Sequence, residues 1–147
     1  MSGTRTLTII KPGAVSNEYI GPILNKINAA GFHIAAMKYF KLTLSQAENF
    51  YNVHKGKPFY DGLVEFMTSG PVVVAILEKE NAVEAYRELI GNTDPTKAKE
   101  NTIRKLFAVS MQKNAVHGSD SDENAERESD FFFAKSERYS KFDEQHF

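Results

Sequence analysis

No cysteine occurs among the 147 residues, which excludes disulfides, thiolate metal sites and a cysteine nucleophile, and sets the cytoplasm as the expected location. Met1 to Lys11 has no long apolar h-region. No run approaches the roughly 18 apolar residues of a membrane span, so a soluble, unprocessed chain is expected. Neither sign of charge dominates: 18 basic and 19 acidic residues leave a formal charge of −1. That gives no general basic field to attract nucleic acid or anionic lipid. Glycine cradles for phosphate are missing as well. Gly56-Lys57 is followed by Pro58 and has Tyr51 where the first glycine of a Walker loop belongs, and no Gly-x-Gly-x-x-Gly occurs. Any phosphate must therefore be held by side chains, for which Lys11, Tyr51, Arg87, Thr93, Arg104 and Asn114 are the donors at hand.

What is present reads as one domain over residues 1–147, with a charged, aromatic-dotted tail from about 135 that wraps the surface or a neighbouring subunit. The β-branched run Thr6 to Ile10 ends at Lys11-Pro12-Gly13, so Lys11 sits at a strand tip. Ile20, Ile23, Leu24, Ile27 and Ala30 recur at helical spacing before Gly31. Phe32 to Leu42 alternates as a strand with one buried face, which puts His33 on the outside. Thr43-x-x-Gln46 is a capping box for a helix carrying Phe50 and Tyr51, and Phe59, Leu63, Val64 and Met67 keep helical spacing after Pro58.

Val72 to Leu77 is continuously apolar and reads as a central strand. Asn81 is the expected cap of the next helix, with Glu84 three residues on and Gly91 after its end. Gly91 to Asn101 is a long polar loop of the kind that more often has a function, and Thr102 to Phe107 forms a short helix. Ser121 or Asp122 caps a helix with Glu128 near its end, and Phe131 to Phe133 reads as a last strand. This order suggests a ferredoxin-like α+β sandwich, a four-stranded antiparallel or mixed sheet with helices on one face.

The stretch Asn114-Ala-Val-His117-Gly-Ser-Asp-Ser121 carries the chemistry. A neutral imidazole is a nucleophile that can hold a phosphoryl group and release it again. Gly118 removes a side chain next to the ring so that backbone can approach a ligand, and the following serines and Asp120 offer hydrogen bonds. A lone histidine in a polar turn is more often structural, so its surroundings must decide.

Asn114-Ala-Val-His117-Gly-Ser119-Asp120 resembles the active-site signature of nucleoside diphosphate kinases. Thr8-Ile-Ile-Lys11-Pro12, Ser69-Gly70-Pro71-Val72-Val73 and Thr102-Ile-Arg104 fall where that family places its own motifs. The resemblance spans Thr6 to about Phe133 and implies a kinase that passes the terminal phosphoryl of a nucleoside triphosphate, through a phosphohistidine, to a nucleoside diphosphate. It implies His117 as nucleophile, with Ser119 and Glu128 orienting the ring and Tyr51 close by. Lys11, Arg87, Thr93, Arg104 and Asn114 would hold phosphate and sugar, and Phe59, Met111 and Val116 would line the base slot. Magnesium would arrive with the nucleotide, with no ligand set from protein side chains. The partners would be nucleoside tri- and diphosphates and copies of the chain itself, as a hexamer in preference to a tetramer, with no membrane or nucleic acid required. A glutamate bonded to one ring nitrogen would set the tautomer, while the spacing leaves open which nitrogen attacks.

Three other readings fit less well. An RNA-recognition sheet lacks its basic, glycine-flanked aromatic strand motif here. A metal hydrolase built on His117, Asp120 and Asp122 lacks ligand spacing. Ser119 and Ser121 lie too close to His117 in sequence for triad geometry.

Overall fold

The computed structural model describes residues 3–142. Among these the chain forms β1 (Arg5–Ile10), α1 (Pro12–Ser16), α2 (Ile20–Ala29), β2 (His33–Lys41), α3 (Leu44–Phe50), α4 (Tyr60–Met67), β3 (Pro71–Glu78), α5 (Ala82–Ile90), α6 (Ile103–Phe107), β4 (Val116–Gly118) and α7 (Asp122–Phe132). Short 3-10 turns lie at Asn52–His54, Pro95–Lys97 and Lys135–Glu137. The strands make one antiparallel sheet in the order β2-β3-β1-β4, which is the ferredoxin-like arrangement expected.

Helices cover both faces of this sheet, and not the one face expected. The cause is β3, whose six residues Val72 to Leu77 are each at most 2% exposed. Val72, Val74 and Ile76 join Leu7 and Ile9 under α3, α4 and Phe132, while Val73, Ala75 and Leu77 join Ile10 under α1, α2 and α5. A strand apolar on both sides needs a layer on each. In β2 the register breaks between Ile34 and Ala36. Ile34 then packs with the α2 and α5 layer, whereas Ala35 and Ala36 turn to the other, so simple alternation fails at this bulge.

The fourth strand is not Phe131 to Phe133. Phe131 and Phe132 finish α7, and Phe133 is its extended C-terminal cap at φ −134°. Helical spacing prevails there, since Ala125, Glu128, Ser129 and Phe132 form the inward stripe of α7. Strand β4 lies inside the stretch read as a loop. The Thr43–Gln46 capping box forms with both reciprocal bonds, at 3.1 and 2.9 Å, and Ser121 accepts from the Asn124 amide at 3.0 Å. Asn81 behaves differently from expectation: it is left-handed at φ +56° and donates through its side chain to Glu84, while Ala82 N–H goes to the Gly3 carbonyl.

The tail, as far as it is described, lies on the chain's own sheet. Tyr139 N–H donates to the Ala35 carbonyl at 2.7 Å, at the bulge, and His33 Nε2–H donates to the Tyr139 carbonyl at 2.7 Å. His33 is thus half-buried under the tail and does not face open solvent. The buried Glu78 carboxylate accepts from the Ser140 hydroxyl and, at 2.9 Å, from the Lys141 amide. Phe142 is half-exposed, and His146 and Phe147 lie outside the described residues. Removing a buried acceptor and leaving its donors unmet costs roughly 1–3 kcal/mol, so Glu78→Ala is expected to lower unfolding free energy by about that amount. Hydrogen exchange at the amides of 139–142 should accelerate in parallel. Unchanged exchange would show that Glu78 does not anchor the tail.

Candidate active site

β1 and β4 run side by side, with Ile9 opposite His117 and Ile10 opposite Val116, so the end of β1 delivers Lys11 beside the start of β4. A γ-turn leads into β4: Val116 N–H donates to the Asn114 carbonyl at 3.0 Å, and Ala115 has φ +77°, a strained value for a residue with a Cβ. The Ala115 carbonyl accepts from Lys11 N–H at 2.9 Å, and Lys11 Nζ donates to Asn114 Oδ1 at 2.8 Å. The turn and the strand tip thereby hold each other.

Helix α7 supplies the other half of the centre. His117 Nε2 lies 2.9 Å from Glu128 Oε1, and the same oxygen accepts from the Ser119 hydroxyl at 2.6 Å. Ser119 is itself fixed, since its Oγ accepts from Leu7 N–H at 3.2 Å. A carboxylate only accepts, so Nε2 carries the proton and Nδ1 keeps the lone pair. Among the described residues nothing hydrogen-bonds to Nδ1. The Phe50 ring meets the imidazole edge-on at 5.5 Å and touches Tyr51 at 4.9 Å. Burial, and then the Glu128 charge, push the Tyr51 phenol well above its ordinary range, and its hydroxyl is buried with no partner among the described residues.

The remaining predicted residues fall along two adjoining cavities. One, of about 620 Å³, is lined by Lys11, Phe59, Leu63, Thr93 and Met111, with Phe59 and Met111 each more than half exposed. The other, of about 710 Å³, is lined by Arg87, Thr93 and Arg104 among others, so the two meet at Thr93. Arg104 donates to the Gly91 carbonyl through Nη1 and to the Val116 carbonyl through Nη2, both at 3.0 Å. Gly91 sits at φ +87°, ψ −172°, a region essentially reserved for glycine, and a Cβ there would stand 2.6 Å from the Thr102 hydroxyl.

Two expectations need correction. Val116 does not line the base slot: its side chain is fully buried in the core beneath α5, and what it offers the site is its carbonyl. Outward and inward positions alternate along β4, so a residue next to His117 faces the core. Gly118 does not open space for a ligand either, because a Cβ there would meet Ile90 and Tyr86 at 3.1 Å, so it allows α5 to pack closely on β4.

His54 was not singled out from the sequence. Its ring lies nearly parallel to Tyr51 at 6.4 Å and 5.2 Å from Phe59, between the phenol and the cavity wall. The only signal was its place between two aromatic positions already of interest.

Burial, reinforced by the charge of Arg104, lowers the Lys11 ammonium from its usual value to about 7. Burial also lowers Arg104 to about 10, and the neighbouring charge of Arg87 acts in the same direction. Lys11, Arg104 and Arg87 thus lie in one another's field. Because folding lowers the Lys11 value, the unfolded chain binds the extra proton between about pH 7 and 10.5, and stability should rise across that window. Lys11→Met is expected to flatten this rise, measured by urea unfolding from about pH 6.5 to about 9.5. Parallel curves for variant and wild type would refute it.

Comparison with known proteins identifies the family. The family model of nucleoside diphosphate kinase matches residues 4–138. A nucleoside diphosphate kinase of Flavobacterium psychrophilum is 55% identical over 139 residues, covering 95% of this chain and 100% of the relative. One from Chlorobaculum tepidum is 59% identical over 133 residues, covering 90% of this chain and 95% of the relative. Among solved structures, the Aquifex aeolicus nucleoside diphosphate kinase superposes with a TM-score of 0.90 at 46% identity, covering 92% of this chain and 98% of that one. A halophilic nucleoside diphosphate kinase from Halobacterium salinarum, in complex with CDP, gives 0.89 at 35% identity, covering 92% and 91%. A strand-borne histidine locked to a helical glutamate beside a cationic cleft, on this fold and with these relatives, places the chain in the nucleoside diphosphate kinase family.

Proposed function

We propose that the chain works as a nucleoside diphosphate kinase in which His117 Nδ1 carries the phosphoryl group. The observation that carries this reading is the Nε2 contact with Glu128, which leaves the Nδ1 lone pair without a partner among the described residues, one position along β4 from the Val116 carbonyl that Arg104 holds at 3.0 Å. In the first half-reaction Nδ1 attacks the terminal phosphorus, the N–P bond forms, the bond to the bridging oxygen breaks, and the nucleoside diphosphate leaves with the electron pair. The ring becomes positively charged as it takes up phosphorus, and Glu128, held by Ser119, balances that charge. Lys11, Arg87, Arg104 and the Thr93 hydroxyl offset the negative charge on the moving group and the leaving phosphate. A second diphosphate then reverses the steps, which makes the cycle ping-pong. The Phe59 and Met111 walls suit the flat face of any base and read none of its edges, which agrees with a broad acceptor range.

Magnesium, when bound, neutralises triphosphate charge. The cleft's donors are mostly cations, and among the described residues no group of three His, Asp or Glu could hold a metal, so this side-chain set fits an ion carried by phosphate oxygens. Asp120, whose carboxylate interacts with Arg87 and His117, would serve its hydration shell. Labelled ATP should leave an acid-labile, base-stable label on the wild type and none on His117→Ala, and label persisting in that variant would overturn the assignment. Lys11→Ala and Arg104→Ala should each lower turnover roughly 10²-fold with the fold intact.

We also infer a cytoplasmic, symmetric homo-oligomer, a hexamer in preference to a tetramer. Supporting it, Met37 and Tyr39 stand 51% and 65% exposed on the edge strand β2, past the point where the tail bonds to Ala35, and the Gly91 to Asn101 loop is stiffened by a buried Pro95 at the head of its 3-10 turn. Sedimentation of the wild type should show the hexamer, and Pro95→Ser should loosen assembly more than it slows transfer. A micromolar monomer would refute the assembly, and a tetramer the choice of hexamer.

A further inference from the structure

Among the described residues other than glycine, Ala115 has the largest positive φ, +77° against +64° for Glu18, +56° for Asn81 and +68° for Asn101. Asparagine tolerates that region through its short polar side chain, and alanine has no such means. Glycine is the relaxed choice there, as the chain shows at Gly31, Gly56 and Gly91, with φ of +94°, +90° and +87°. Ala115 is instead 3% exposed and joins the core cluster of Ile10, Ile103 and Val116. A methyl fixed in the core restricts this peptide to few conformations, a restriction that glycine would lift.

What the turn holds explains why the strain is kept. Asn114 Oδ1 accepts from Lys11 Nζ at 2.8 Å, the Ala115 carbonyl from Lys11 N–H at 2.9 Å, and the Val116 carbonyl from Arg104 Nη2 at 3.0 Å. Three consecutive residues thus each grip a group proposed for transfer, and His117 follows directly. The turn closes between the first and the third, since Val116 N–H donates to the Asn114 carbonyl at 3.0 Å. Rotation at 115 would therefore disturb all of these contacts together.

We propose that Ala115 is a positioning residue for the transfer reaction: its buried methyl keeps the γ-turn strained and so holds Lys11 and Arg104 in register with His117. This rests on the phosphohistidine reading and gives the strain a task within it. Glycine, the better residue for this φ, should then make the poorer enzyme.

The test compares Ala115→Gly, Lys11→Ala and the double variant of the full-length protein. Relief of strain and loss of the buried methyl act in opposite directions, so the Tm of Ala115→Gly should stay within about 4 °C of wild type. Its kcat should fall about tenfold with the KM for ADP unchanged, the mark of an interaction made in the transition state. In the Lys11→Ala background the same substitution should cost about threefold at most, because the amine that the turn positions is gone. Wild-type kcat in Ala115→Gly overturns the proposal, and so does an undiminished loss in the Lys11→Ala background. A larger fall in Tm would make Ala115 a packing residue and overturn it as well. Phosphohistidine labelling of the wild type from ATP is read separately, so a failure of the transfer reading shows as absence of label in the parent protein.

Discussion

One carboxylate oxygen, Glu128 Oε1, receives both His117 Nε2–H and the Ser119 hydroxyl, and the active centre depends on that shared acceptor. It selects the tautomer, holds the ring plane and places a negative charge where the proposed phosphorylation of the ring would create a positive one. Glu128 is buried on α7, so the contact exists only if α7 docks on the sheet. That docking rests on the stripe ending in Phe132, which packs with Phe40 and Phe50. Core packing and chemistry therefore share the same few residues, and Phe50 touches both Phe132 and the imidazole.

The opposite wall of the cleft is held under electrostatic tension. Lys11 is buried against Asn114, an amide that supplies a dipole and no compensating charge, and the two arginines lie in each other's field. A strained turn at Ala115 fixes Lys11 through its backbone amide. Bringing like charges together in this way is costly, and in the proposed reaction phosphate oxygens would offset that cost.

The fold was legible where one pattern acted alone. The capping box at Thr43, the cap at Ser121 and the apolar run of β3 each acted through local bonds or uniform burial, and each formed as read. It was not legible where two patterns overlapped. Phe131 to Phe133 has strand composition but continues the helical stripe of α7, and His117 sits on a three-residue strand that only pairing with β1 creates. The bulge at Ala35 likewise depends on its neighbours, because it aligns β2 with β3 while the tail takes up the Ala35 carbonyl.

By itself, the sequence determined which residues could do the chemistry: a histidine, an acid eleven positions on that a helix can bring back to it, and a scattered set of cations with no glycine cradle. It also marked three of the four strands, because β1, β2 and β3 each carry their own apolar pattern while β4 does not. Only the tertiary structure decided which imidazole nitrogen is free, since that follows from a contact between β4 and α7. It alone turned Val116 into the core and His117 out of it, because the side of a strand that faces a helix layer is set by pairing register and not by residue type.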